Sequence, residues 1–221
     1  MWTVHFCVLL LTVTINKAHA SRRRHRAPGY AAWGASESPC PCSNASLCDA
    51  ITRTGPEKVF VFHGGYDGDK KEWQLYDWPQ ISTICIFGSL SPELYCHAHS
   101  HGVRVVFGTN FPPADQWSNA TVTTAYIENH VANMRACRNA TLHHDFGCCP
   151  DGWNLDIEVP DTPAQAKSMV KLTERFTTAM HAAVPGSQVT FDTRSLAAPC
   201  SGNPPNPKYT YDVAALAKAR D

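Results

Sequence analysis

The chain has 221 residues, of which 43% are apolar and 17% charged, with equal numbers of acidic and basic side chains. That length suits one large domain, and that apolar fraction is ample for a buried core. The formal net charge of zero argues against a general nucleic-acid-binding or membrane-surface protein, since both classes usually carry a basic excess.

The chain begins with a segment typical of a secretory signal. Its apolar run, Val8 to Ile15, is too short to span a bilayer, and Ala18 and Ala20 form the small-x-small pattern of a cleavage site. We predict a cleaved signal over residues 1–20, and no later run is long enough for a membrane span. Residues 21–39 start with SRRRHR, which favours a flexible basic arm over a nucleic-acid patch, a heparin patch or a processing site.

Cysteine usage indicates an oxidising compartment. Of the ten cysteines, Cys7 lies in the predicted signal, which leaves nine, so at least one lacks an intrachain partner. The nine are Cys40, Cys42, Cys48, Cys85, Cys96, Cys137, Cys148, Cys149 and Cys200. A metal cluster at CPC with Cys48 is one interpretation, but zinc sites use wider paired spacings, and disulfides are favoured. The adjacent Cys148 and Cys149 either have separate partners or form a strained vicinal pair.

Three N-x-S/T sequons also fit passage through the secretory pathway. They predict glycosylation at Asn44, Asn119 and Asn139. The residues alone leave the final address open between the lysosome and the extracellular space.

Short apolar segments alternate with helical patterns along the chain. The predicted strands are residues 58–62, 82–87, 103–107, 151–160 and 188–192. The predicted helices are residues 92–102, 122–137, 162–184 and the start of one at 212–218. Thr162 and Pro163 supply the long helix with a cap and a first residue. This alternation predicts an α/β fold with a parallel sheet and crossover helices.

The stretch DGWNLDIEVP, residues 151–160, alternates strictly between apolar and polar residues, as a strand with two different faces does. Its apolar face is Trp153, Leu155, Ile157 and Val159, and its other face is Gly152, Asn154, Asp156 and Glu158. If helices cover the apolar face, the polar face lines the interior, which in a (β/α) barrel is normally filled by Val, Ile and Leu. Because buried polar groups cost desolvation free energy, this row indicates a functional site.

The spacing of Asp156 and Glu158 limits the reaction. Residues two apart on a strand are separated by roughly 6.6 Å and lie on the same side of a bound substrate. A retaining glycosidase with a protein nucleophile needs carboxyl groups on opposite faces of the sugar, which this pair cannot easily provide. The pair can supply a general acid and a neighbour that orients, and the substrate itself is one candidate for the nucleophile.

DGWNLDIE resembles the signature of glycoside hydrolase family 18, D-G-x-D-x-D-x-E, with Asn154 at the first inner Asp. The segments VFVF, YDWPQIST, AHSHGVRVV and GSQVTFD extend the resemblance, in colinear order, over about residues 40–221. The resemblance implies a (β/α)8 TIM-type barrel of which only about the first five β/α units are present. Residues 40–221 are therefore expected to be the N-terminal portion of such a barrel in a truncated chain.

The resemblance also implies retaining, substrate-assisted hydrolysis of β-1,4-linked N-acetylglucosamine. Glu158 matches the general acid/base, Asp156 the residue that holds the 2-acetamido group, and Asn154 a hydrogen-bonding partner of Asp156. The resemblance to members with this asparagine implies a substrate that is the chitobiose core of Asn-linked glycans or chitin oligosaccharides, and a lysosomal address. We also expect a monomer. No metal or organic cofactor is implied.

Other candidates receive plainer interpretations. Asp192 ends the fifth predicted strand and could reach substrate. His97, His99 and His101 could suggest a metal site, but a surface helix end is favoured. For residues 63–72, a solvated loop is favoured over a calcium-binding loop. Trp73, Tyr76 and Trp78 could stack on a sugar, but core or strand packing is favoured. The alternatives to an enzyme are a catalytically inactive, carbohydrate-binding family member and an incomplete fragment.

Overall fold

The computed structural model describes residues 40–51, 56–65, 71–88, 90–138, 148–157, 162–192 and 211–219. Within these residues, no helix has the length and apolar character needed to cross a membrane.

The sheet follows the chain in the simplest possible order. Its strands are β1 (Val59–Gly65), β2 (Ile81–Gly88), β3 (Arg104–Asn110), β4 (Gly152–Asp156) and β5 (Gln188–Asp192). All neighbouring pairs are parallel, and the spatial order β1-β2-β3-β4-β5 equals the order in the sequence. A doubly wound sheet would reverse its order at a switch point, whereas a (β/α) barrel adds each strand beside the last. The predicted α/β fold with five β/α units of barrel type is confirmed.

Helices connect the strands on one side of the sheet. They are α1 (Pro92–Ser100), α2 (Ala120–Arg138), α3 (Pro163–Ala183) and α4 (Val213–Ala219). The predicted cap of α3 is present, because the Thr162 side chain accepts a hydrogen bond from the Gln165 N–H at 3.2 Å. Gly186 follows α3 with a positive φ of 82°, a conformation that glycine adopts without strain. The predicted helix bounds hold to within two residues.

The helices cover the outer face of the sheet, as the alternation in β4 predicts. Trp153 packs edge-on against His130 of α2 at 4.9 Å, and Leu155 has no exposed surface. From α3, Phe176 and Met169 are also fully buried in this core. Each such side chain stabilises the fold by about 1.5–3 kcal/mol. The inner face of β4 is left to Gly152, Asn154 and Asp156.

Asp151 ties together the edge of the sheet where the strands begin. Its buried carboxylate accepts hydrogen bonds from the N–H groups of Ile51 and Val105, at 3.0 and 2.8 Å. It also lies 2.9 Å from Nε2 of His99 and 3.3 Å from a guanidinium nitrogen of Arg138. One carboxylate thus joins the N-terminal segment, α1, α2 and β3.

Disulfides, rather than a metal, account for the clustered cysteines. Among the described residues, three bridges occur: Cys40–Cys48, Cys42–Cys96 and Cys137–Cys149. The sulfur atoms of Cys40, Cys42 and Cys48 lie within 4.8 Å of one another, but each is already in a bridge. Cys149 therefore has its own partner, whereas Cys148 is a buried free thiol, as is Cys85. Cys200 lies outside the described residues.

The tryptophans of the β1–β2 connection belong to the core, as predicted. Trp73 and Trp78 are 4% exposed, so neither offers a face to a sugar. Their rings pack 5.1 and 5.0 Å from that of His97 on α1. This packing fixes the connection against the first helix.

Candidate active site

Two carboxylates lie side by side at the edge where β4 and β5 end. Asp156 is the last residue of β4, Asp192 is the last of β5, and the two are register partners in the parallel ladder. Neighbouring strands are about 4.8 Å apart, so these side chains emerge from adjacent positions. Both are partly exposed, whereas Asn154, one layer deeper, has no exposed surface. This is the strand edge at which barrel folds place their chemistry.

Asn154 bonds to β5 through both ends of its amide. The Thr190 hydroxyl donates to Oδ1 of Asn154 at 2.6 Å, and Nδ2 of Asn154 donates to Oδ2 of Asp192 at 2.6 Å. The amide is therefore fully oriented, and its donor faces a carboxylate. The resemblance implied Asp156 as the partner of Asn154; in the described part of the chain, the side-chain partners of Asn154 are Thr190 and Asp192.

Cys85 of β2 lies on the same inner face as these groups. It is a central residue of β2 with no exposed surface, and burial, followed by the charges of Asp192 and Asp156, raises the pKa of its thiol. The thiol is thus neutral and unreactive at ordinary pH. The strand register places Cys85 on the same face as Asp156, because Cys85 pairs with Val106 and Val106 pairs with Gly152.

Two glycines allow neighbouring strands to pack closely against each other on the inner face. A Cβ at Gly152 would collide with the backbone of Gln188 on β5, so only glycine permits this approach of the two strands. A Cβ at Gly108 of β3 would meet the ring of Phe87, which occupies that space from β2. The Gly152 contact lies two residues below Asn154, so it sets the strand separation across which Asn154 bonds to Asp192.

The predicted site residues divide into those that the structure brings together and those it does not describe. Asn154, Asp156 and Asp192 converge on the inner face. Glu158, the predicted general acid, lies outside the described residues, so its role stays a prediction. Thr190 and Cys85 were missed, although the alternation used for β4 also applies to QVTFD and STICIF and could have found both.

The predicted glycosylation sites show a similar division. Asn44 and Asn119 are exposed, the first capping a short 3₁₀ helix and the second accepting from the N–H groups of Thr121 and Val122 at the start of α2. Asn139 lies outside the described residues. Modification of all three stays a prediction.

The histidine-rich end of α1 differs in part from the surface interpretation. His101 is exposed, and its ring centroid lies 4.7 Å from that of His97, as expected one helical turn apart. His99 is instead 3% exposed, so the surface interpretation is wrong for this residue. The reason is the hydrogen bond to Asp151, which lies 52 residues away in the sequence and which no local pattern could supply.

No family model matches the chain. Among curated proteins, di-N-acetylchitobiase from Rattus norvegicus is 37% identical over 155 residues, which is 69% of this chain and 38% of that protein. Di-N-acetylchitobiase from Bos taurus is 34% identical over 151 residues, which is 67% of this chain and 77% of the bovine sequence. The chain thus spans 38% of the length of the rat and mouse relatives. Among solved structures, an endo-1,4-beta-D-mannanase from Thermotoga petrophila aligns with a TM-score of 0.43 and 9% identity, over 66% of this chain and 58% of that one.

Proposed function

This chain belongs to the di-N-acetylchitobiase family, and we propose that it acts as a glycosidase on β-1,4-linked N-acetylglucosamine. The substrate would be the chitobiose core of Asn-linked glycans or chitin oligosaccharides. The observation that carries the proposal is the pair of carboxylates, Asp156 and Asp192, at the ends of adjacent inner-face strands above the buried amide of Asn154.

The proposed reaction uses the substrate as its own nucleophile. Glu158, as the acid, donates a proton to the glycosidic oxygen while the bond from that oxygen to C1 breaks. The carbonyl oxygen of the 2-acetamido group attacks C1 and forms a positively charged oxazolinium, which the carboxylate of Asp156 holds and stabilises. Glu158, now a carboxylate, takes a proton from the water that attacks C1 and reopens the ring. The two displacements at C1 retain its configuration.

The test of this assignment is Glu158→Gln in the full natural chain. Glutamine keeps the shape of the side chain but cannot donate the proton, so we expect kcat on a chitobiose substrate to fall about 10²–10⁴-fold. Glu128→Gln, an exposed position on α2, is the matched control and should leave kcat unchanged. Turnover retained by the Glu158 variant would remove this residue from the proposed role.

Substrate assistance is tested separately from the acid. A thiazoline analogue of N-acetylglucosamine mimics the proposed oxazolinium and should inhibit competitively. A covalent adduct between sugar and protein during turnover would contradict the mechanism, since no protein atom attacks C1 in it.

Carbohydrate binding without turnover is a second candidate, and the inner faces of β1 and β2 favour it. Phe62, which pairs in register with Cys85, is 53% exposed, and its ring lies 5.2 Å from that of Phe60 and 5.9 Å from that of Phe87. An exposed apolar patch of this kind is typical of a ligand groove. Saturable binding of chitobiose by the natural protein, with no product released, would favour this candidate over the enzyme.

The secretory pathway is the proposed route of the protein, with the lysosome as its final address. The three disulfides support the route, because such bonds persist in oxidising compartments. Localisation of the tagged natural chain with a lysosomal marker tests the address, and its accumulation in the medium would favour an extracellular one.

A further inference from the structure

Thr190 is a polar residue on the inner face of β5 that the proposed mechanism does not use. Thr190 lies two residues before Asp192, and both point to the face shared with Asn154 of β4. The three residues form one hydrogen-bonded chain, from the Thr190 hydroxyl through the Asn154 amide to the Asp192 carboxylate. Both bonds are 2.6 Å long.

The direction of this chain is set at Asp192. A carboxylate only accepts, so Nδ2 of Asn154 must face Asp192, and Oδ1 then faces the Thr190 hydroxyl, which donates to it. Without the hydroxyl, Oδ1 would be buried with no donor, and the amide would shift toward another partner and away from Asp192. Asn154 has no exposed surface, so bulk water does not hold its orientation in place of Thr190.

The Asp192 carboxylate ends the chain at the rim of the site. It is the register partner of Asp156 and is partly exposed. A carboxylate has about four lone-pair positions, so it can accept from Asn154 and also from the hydroxyl groups of a sugar. The bond from Asn154 is one of the contacts that set the direction of this carboxylate toward a sugar.

We infer that Thr190 is a positioning residue that, through Asn154, aims Asp192 at a hydroxyl group of an N-acetylglucosamine unit. The inference rests on the proposed function, because it specifies how that site binds its sugar. Thr190 itself makes no contact with substrate in this arrangement. The interaction would be made equally in the bound substrate and in the transition state, so it affects KM more than kcat.

The experiment compares four variants of the full natural chain: Thr190→Val, Thr190→Ser, Asp192→Asn, and the double variant T190V/D192N. Thr190→Val removes the hydroxyl at constant shape, and we expect KM for chitobiose to rise about tenfold, the loss of roughly one charge-assisted hydrogen bond. Thr190→Ser keeps the hydroxyl and should restore KM to within about twofold, a rescue that a packing role of the methyl group would not give. Melting temperatures identify any variant that folds poorly.

The double variant gives the decisive comparison. If Thr190 acts through Asp192, adding Thr190→Val to Asp192→Asn should not raise KM further. If the two residues act independently, the KM of the double variant should rise by the product of the two single increases. Multiplying effects, or a Thr190→Val variant with wild-type KM, would overturn the inference while leaving the proposed function intact. If the natural protein neither turns over nor binds chitobiose, the proposed function fails and this inference fails with it.

Discussion

Paired polar side chains away from solvent fix how the segments of this chain are arranged. Asp151 is 2% exposed and accepts from groups that belong to four separate segments. His130, which is partly buried, is held similarly in the outer layer, where its Nδ1–H donates to the Tyr126 carbonyl at 2.8 Å and its Nε2 accepts from the Thr109 hydroxyl at 2.9 Å. Since buried groups of this kind are costly unless paired, each specifies one arrangement of its neighbours.

Asp151→Asn should strongly destabilise the fold. The new amide would turn an NH₂ group toward donors and remove the charge that faces His99 and Arg138. Breaking a buried pair by changing one partner costs about 3–5 kcal/mol, so we expect that loss in the free energy of unfolding measured by urea titration. Asp115→Asn, at an exposed position, serves as the control. A loss below about 1 kcal/mol at Asp151 would show that the network contributes little.

His130 should make the protein less stable in acid. Burial lowers the pKa of its imidazole, partly offset by the bond to the Tyr126 carbonyl, so the folded state favours the neutral ring. As pH falls below the unfolded value of about 6.5, the unfolded chain binds a proton that the folded chain does not, and stability falls. His130→Gln should therefore flatten the dependence of unfolding free energy on pH between about 7 and 5. Thr109→Val, which keeps the imidazole, should retain that dependence.

At the scale of elements, alternation within a strand predicted the faces correctly but could not predict the partners. Period two assigned Asn154 and Asp156 to the inner face, because helices cover only the outer face of the strand and successive side chains alternate between the two faces. The bond from Asn154 to Asp192 joins residues 38 apart and depends on register, which a single strand does not encode. The burial of His99 likewise depends on a residue of another element, Asp151, which lies 52 residues away. Local pattern thus predicted the strands and the polar inner face of β4, whereas pairing between elements required the structure.

Gly152→Ala should disturb β4 and β5 together. The added methyl would meet the backbone of Gln188, which cannot move without shifting β5, so we expect a loss of about 3 kcal/mol or more in unfolding free energy. Gly102→Ala is the matched control: its φ is 66° with open space around the new methyl, and it should cost only about 1–2 kcal/mol. Equal losses at the two positions would contradict the close approach of β4 and β5.

At the scale of the whole molecule, disulfides hold the N-terminal segment and the helical layer to the sheet. The Cys42–Cys96 bridge joins residues 54 apart and attaches the segment before β1 to α1. The Cys137–Cys149 bridge spans only 12 residues, from the end of α2 to the approach to β4. The longer closed loop restricts the unfolded chain more, so it should stabilise more.

Removing the Cys42–Cys96 bridge should lower the free energy of unfolding more than removing the Cys137–Cys149 bridge. In the chain-entropy view, Cys42→Ser with Cys96→Ser should cost about 4 kcal/mol, and Cys137→Ser with Cys149→Ser about 3 kcal/mol, in thermal or urea unfolding. Cys85→Ala, which removes a buried thiol outside any bridge, controls for loss of a sulfur atom. A larger loss from the shorter bridge would indicate that native-state contacts dominate over loop length.

The strand order allows the sheet to form in the order in which its strands are synthesised. In the described sheet, each strand after β1 pairs with the one made just before it, so each new strand meets its partner already synthesised. Assembly can therefore proceed vectorially during translation. Cys42–Cys96 can close once α1 has emerged, well before Cys149 is made. We expect thiol trapping of nascent chains to find the bridges forming in that sequence, and simultaneous closure after release would contradict it.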